Sequence, residues 1–162
     1  MANPNKRTGC PKEKHLCNCT KHKTKDKAVV GEVAGTLPTV AIGATVRLPL
    51  TFRLFQTPKI TIIPDGGIRV EEDGEYFVTF SAIFPNDIAF PNVVFSIYSP
   101  DFSGTALTGE GTANYSELVC LRKGDTVYVT ITNNTGAPIP LPLPNADDIG
   151  VTGLLNVIKV EA

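Results

Sequence analysis

The sequence has no tryptophan, one methionine and only two histidines in 162 residues. Both histidines, His15 and His22, fall before residue 28. The remainder therefore has no imidazole to serve as a base near neutral pH, which leaves acid–base chemistry to carboxylates alone. Those carboxylates cluster in turns, Glu71-Glu72-Asp73 and Asp147-Asp148, where solvation accounts for them. No glycine-rich loop leads from a strand into a helix, so there is no phosphate cradle. No run approaches the ~18 apolar residues of a membrane-spanning helix. The start, MANPNKRTGCPKEKHLCNC, lacks the apolar stretch of a signal peptide. These absences argue against an enzyme and against a membrane protein, and they imply no cofactor.

Cysteine is scarce, and its placement is informative. Cys10, Cys17 and Cys19 lie in a basic segment with almost no apolar residues, and Cys120 stands alone in the remainder. A segment that cannot bury its own surface cannot shield thiols, so these three are placed where another molecule can reach them. Residues 1–27 hold eight Lys/Arg against Glu13 and Asp26, a net of +6, and residues 28–162 hold seven against fourteen acids, a net of −7. The overall −1 hides this asymmetry, which suits steering one copy's tail onto another copy's body. A basic tail also suits nucleic acid, but this one has no aromatic residue to stack on bases and the body offers no basic platform. We read residues 1–27 as a connector and residues 28–162 as one domain, large enough to bury about two thirds of its unfolded surface without a disulfide.

The tail and the acidic turns have other conceivable uses. Cys10, His15, Cys17, Cys19 and His22 are all possible zinc ligands, yet Cys17-Asn18-Cys19 with a longer gap before it lacks the C-x₂₋₄-C knuckle. A Cys17–Cys19 bridge within one chain would be a small strained ring, which favours partners in other subunits. Asp147-Asp148 could contribute to a calcium site. Disulfides persist outside reducing cytosol. Thiols meant for cross-linking on a chain without an export signal thus point to release by lysis, as spore-coat material leaves a mother cell, with a metal-binding cytosolic tail as the alternative.

The body alternates apolar and polar residues over 46–55, 75–82, 93–98, 118–121, 126–132 and 154–160, with shorter runs at 28–33 and 59–63. Gly and Pro punctuate between them at Asp65-Gly66-Gly67, Asp73-Gly74, Lys123-Gly124-Asp125 and Thr135-Gly136-Ala137-Pro138. Eight to ten short strands of this spacing predict an all-β sandwich or jelly roll. Period two puts Tyr76, Val78 and Phe80 in the core and leaves Phe77 facing outward with Glu75 and Thr79. Together with Ile83, Phe84, Ile88, Phe90 and Val94, Phe77 makes an apolar supply larger than one core needs, which subunit association would consume. The same logic buries Val119 and Leu121 with Val127, Val129 and Ile131, and turns Cys120 outward with Arg122, accessible as a disulfide acceptor. Pro138, Pro140, Pro142 and Pro144 predict a stiff loop along the body.

Gly74-Glu75-Tyr76-Phe77-Val78-Thr79-Phe80 resembles the G-x-Y-x-F-x-F strand of C1q/TNF-like jelly rolls, with Val78 where an aromatic is usual. Leu121-Arg122-Lys123-Gly124-Asp125-Thr126-Val127 is similar to that family's L-x-x-G-D-x-V turn, and Thr152-Gly153-Leu154-Leu155 to its closing strand. The resemblance implies a ten-stranded antiparallel jelly roll that associates as a homotrimer. In plan, with a cysteine-bearing connector ahead of a jelly roll, the chain resembles endospore appendage (Ena) subunits, although their connectors carry adjacent cysteines. That resemblance implies a structural subunit of a spore-surface fibre, its trimers stacked through connectors and locked by intersubunit disulfides among Cys10, Cys17, Cys19 and Cys120. The implied partners are the chain itself, an anchoring protein at the spore surface and a tip protein. The rival reading is a trimeric binding or adhesion head held to a scaffold by its tail.

Overall fold

The computed structural model describes residues 28–36, 39–84, 92–139 and 153–160. Among these there are twelve strands and no helix: β1 (Val30–Gly35), β2 (Thr45–Arg47), β3 (Phe52–Gln56), β4 (Ile60–Ile62), β5 (Ile68–Val70), β6 (Gly74–Ile83), β7 (Val93–Ser99), β8 (Phe102–Thr105), β9 (Leu107–Gly109), β10 (Thr112–Leu121), β11 (Thr126–Asn133) and β12 (Gly153–Val160). They form two sheets, ordered β3-β1-β12-β6-β10-β9 and β4-β5-β11-β7-β8, with β2 added to β11. Every described pairing is antiparallel. The first sheet is an unbroken path of six strands in which β1 and β12, the first and last described strands, lie side by side, so that sheet forms only when these two meet. This is a TNF-like antiparallel jelly roll.

The core lies between the sheets and follows from strict alternation. β6 inserts Tyr76, Val78 and Phe80, β12 Leu155 and Val157, and β10 Val119 and Leu121, all buried. Phe95 and Ile97 of β7 and Val127, Val129 and Ile131 of β11 meet them from the other sheet. The Phe80 and Phe95 rings lie 5.6 Å apart, tilted at 41°, a geometry that adds to simple area burial. Phe80→Ala removes a ring that is 1 % exposed and is expected to destabilise the fold by ~3–5 kcal/mol; chemical denaturation checks this, and a loss near zero would misplace the core.

Turn chemistry matches the sequence. At Lys123-Gly124-Asp125 the Arg122 N–H donates to the Asp125 carboxylate at 2.8 Å, and the Asp125 N–H returns a 2.8 Å bond to the Arg122 carbonyl. Gly124 takes φ 93°, a conformation that a side chain disfavours.

The structure corrects several expectations. Residues 46–55 do not form one strand: β2 joins the sheet of β11 and β3 the sheet of β1. Pro49 cannot donate to a ladder, and the chain bends there, with the Leu50 N–H on the Leu48 carbonyl and the Thr51 N–H on the Pro49 carbonyl. The alternation was real but served a crossing, in which Leu48 and Leu50 are both buried. The strand at 118–121 extends back to Thr112, and β5, β8 and β9 are additional, which with the division of 46–55 takes the eight runs to twelve strands. Phe84 is buried while Ile83 is 66 % exposed. Ile88, Phe90, Pro140, Pro142, Pro144, Asp147 and Asp148 lie outside the described residues.

Glu72 ties two elements together at one end of the sandwich. Its carboxylate accepts from Lys159 at 2.7 Å and from Lys59. Burial raises the Glu72 pKa, but the hydrogen bonds from Lys159 and Lys59 outweigh it, and the net effect is a pKa below the ordinary 4.5. A carboxyl whose folded pKa is depressed contributes stability above its unfolded pKa and loses it as pH falls through the folded value. The melting temperature of Glu72→Gln should therefore lie below the parent's at neutral pH and converge on it as the pH drops beneath 4.5. A gap that persists unchanged in acid would assign the loss to packing.

Candidate functional site: the outward face of the six-stranded sheet

Strand register fixes which side chains share the outward face. Cys120 pairs with Glu75, and Glu75 with Val160. In the next row Leu118 pairs with Phe77, Phe77 with Ile158 and Ile158 with Val30. The row after holds Ser116, Thr79 and Asn156, where the Asn156 amide donates to the Thr79 hydroxyl at 3.2 Å. Leu118, Phe77 and Ile158 are 49 %, 39 % and 38 % exposed. They form a contiguous apolar row open to water, continued by exposed Val160 in the row of Glu75, and such patches mark surfaces that another surface can cover. β3 adds Phe52, Leu54 and Phe55, all exposed, at the sheet's edge.

Cys120 stands where the sequence placed it. Val119 and Leu121 point inward, and Cys120 is half-buried on the outer side. It is a disulfide cysteine, and the cysteine it bonds lies outside the described residues. Arg122 follows, with its guanidinium 3.7 Å from the Asp101 carboxylate. The other candidates, Cys10, Cys17 and Cys19, lie outside the described residues, as do His15 and His22. Among the described residues no group of three His, Cys, Asp or Glu side chains could hold a metal ion.

The register also places the first described residue. Val30 pairs with Ile158, and the Lys159 N–H bonds the Val29 carbonyl at 2.9 Å, so Ala28 lies level with Val160, Glu75 and Cys120. Three inter-strand spacings separate Ala28 from Cys120, ~14 Å.

A second feature, not anticipated from the sequence, sits on β10. Tyr115 packs over the backbone of β8, where any Cβ on Gly104 would collide with its ring. Its hydroxyl donates to the Glu117 carboxylate. Burial, then the Glu117 hydrogen bond, push the Tyr115 pKa well above its ordinary 10.0, so the hydroxyl stays a donor at every physiological pH. The signal for this pair was present as Tyr115-Ser116-Glu117, an i,i+2 spacing on a strand, but residues 112–117 carry no apolar alternation to mark them as strand.

No protein-family profile and no curated protein matches the sequence. Solved structures do match in shape. Murine APRIL superposes with a TM-score of 0.55 at 16 % identity, over 83 % of this chain and all of that one. The PRD1 vertex protein P5 gives 0.56 at 14 %, over 83 % and 96 %. Bushbaby GITRL gives 0.50 at 11 %, over 83 % and 95 %. At these identities the likeness establishes the fold alone and does not assign a function.

Proposed function

We propose that this chain is a structural subunit of a self-assembling fibre at the spore surface, and not an enzyme. Its jelly rolls associate as homotrimers, and the trimers stack head to tail as the connector of one copy, residues 1–27, docks on the body of the next. The observation that carries this reading is the open Leu118–Phe77–Ile158 row beside Cys120. Covering it with a second copy would remove apolar surface from water at about 25 cal/mol per Å² and would leave Cys120 at the border of the interface, where a thiol of an incoming connector can reach it.

Locking follows as thiol–disulfide exchange. A thiolate of the incoming connector attacks the disulfide that Cys120 makes: one S–S bond forms as another breaks, and the displaced cysteine leaves as a thiol. Docking raises the effective concentration of the connector thiols beside that bond, so the exchange is effectively intramolecular. The +6 tail and the −7 body orient the encounter. An anchoring protein and a tip protein at the fibre's two ends would complete the assembly.

Denaturing gels test this reading. Purified protein incubated with oxidised glutathione should run without reductant as a ladder of whole-number multiples that collapses to one band when reduced. A single monomer band in both lanes would overturn it.

A further inference from the structure

Phe52 and Leu107, 67 % and 83 % exposed, stand at the two ends of one row. The register runs from Phe52 through Ala34, Leu154, Ser81 and Asn114 to Leu107, across the whole six-stranded sheet and on its outward face. Phe55 shares that face because of a bulge. Phe52 and Phe55 are three residues apart, a spacing that on a regular strand sets side chains on opposite faces. The register slips between Glu32 and Val33, however, so that Phe55 pairs with Glu32 and Phe52 with Ala34. The extra residue on β3 re-aims one ring, and two exposed phenylalanines occupy neighbouring rows at the β3 edge. Toward the other edge the same two rows hold small polar side chains, Ser81 and Asn114 in one, Thr79 and Ser116 in the next. There the face dips into a groove of about 550 Å³, lined by residues 79–81 of β6 and 114–116 of β10 with Thr105 and Leu107.

We infer that this groove seats Phe52 and Phe55 of a second copy, and that this contact closes the ring of the homotrimer. The inference deepens the fibre reading and rests on it for the number of copies. Rings and groove lie at the same height along the strands. A rotation about an axis parallel to the strands, with no shift along it, therefore brings the β3 edge of one copy over the β6–β10 groove of the next. Contact between two different patches closes into a ring when the rotation carries no shift, and runs into an open filament when it does. The apolar area is sufficient in kind. An aromatic side chain buries roughly 150–250 Å² when fully covered. The two rings, Leu107 and the Leu118–Phe77–Ile158 row, which is the next row of the same face, supply the larger part of the ~800 Å² that each partner brings to a stable interface. The two edges also carry opposite charge, Arg53 on β3 and Glu110 after β9, both exposed.

The test sediments residues 1–162 with reductant, so that no disulfide holds copies together, and in about 1 M salt, which screens connector from body. The parent is compared with Phe52→Glu, with Ser81→Lys and with the variant carrying both. Seating predicts a parent trimer and, for each single substitution, a dissociation concentration raised at least about tenfold with the circular dichroism unchanged. The double variant recovers most of that loss, because the two introduced charges face each other across the contact. That pattern supports both the seating and the trimer. The same rescue in a parent ring of another size supports the seating and overturns the trimer. Parent and variants that are equally trimeric overturn the seating and leave the trimer standing, and so does a loss in the single variants that the double variant does not recover. A monomeric parent overturns both.

Discussion

Cys120→Ser is expected to cut covalent multimers on non-reducing denaturing gels by at least about tenfold while leaving non-covalent assembly in place. The argument rests on position. Cys120 is the only cysteine of residues 28–162, and it faces outward beside the apolar row. A body-to-connector bond between neighbours must pass through it. The substitution removes one sulfur from a half-buried surface site, so the folded body and its Leu118–Phe77–Ile158 face should be unchanged. Fibres of the variant should therefore form yet dissociate in denaturant, where the parent's resist. A ladder of parental length would move the cross-links to the connector cysteines alone.

Removing residues 1–27 is expected to leave a folded, soluble trimer that no longer elongates. Among the described residues the core runs from Val29 onward, with Tyr76, Phe80, Phe95, Ile131 and Leu155 at its centre, and β1 is held in register by both β12 and β3. Sedimentation should give a single species of three bodies with the parent's circular dichroism, and light scattering should show no growth. A monomer would detach the apolar row from trimer formation, and continued growth would detach the connector from stacking.

Much of this architecture could be read from the sequence because alternation is a direct consequence of burying one strand face. Tyr76, Val78 and Phe80 announced β6, and Val127, Val129 and Ile131 announced β11. Cys120 was placed by the same rule. The rule gave a single strand at residues 46–55, because alternation persists through a crossing when Leu48 and Leu50 both turn inward on either side of Pro49. It also passed over β8, β9 and the first half of β10. These strands lie at an edge, where one face or both remain in water and the apolar pattern that marks a strand is absent. The candidate site divides in the same way. Phe77 was recognisable as an apolar residue on the wrong face, but its neighbours Leu118 and Ile158 come from strands remote in sequence, and only register joins them.

Electron microscopy of purified residues 1–162, oxidised and alone on the grid, decides whether this chain builds a fibre from itself: long fibres of uniform width that survive denaturant and fall apart when reductant is added with it are expected, and fields of isolated particles under the same conditions would contradict self-assembly.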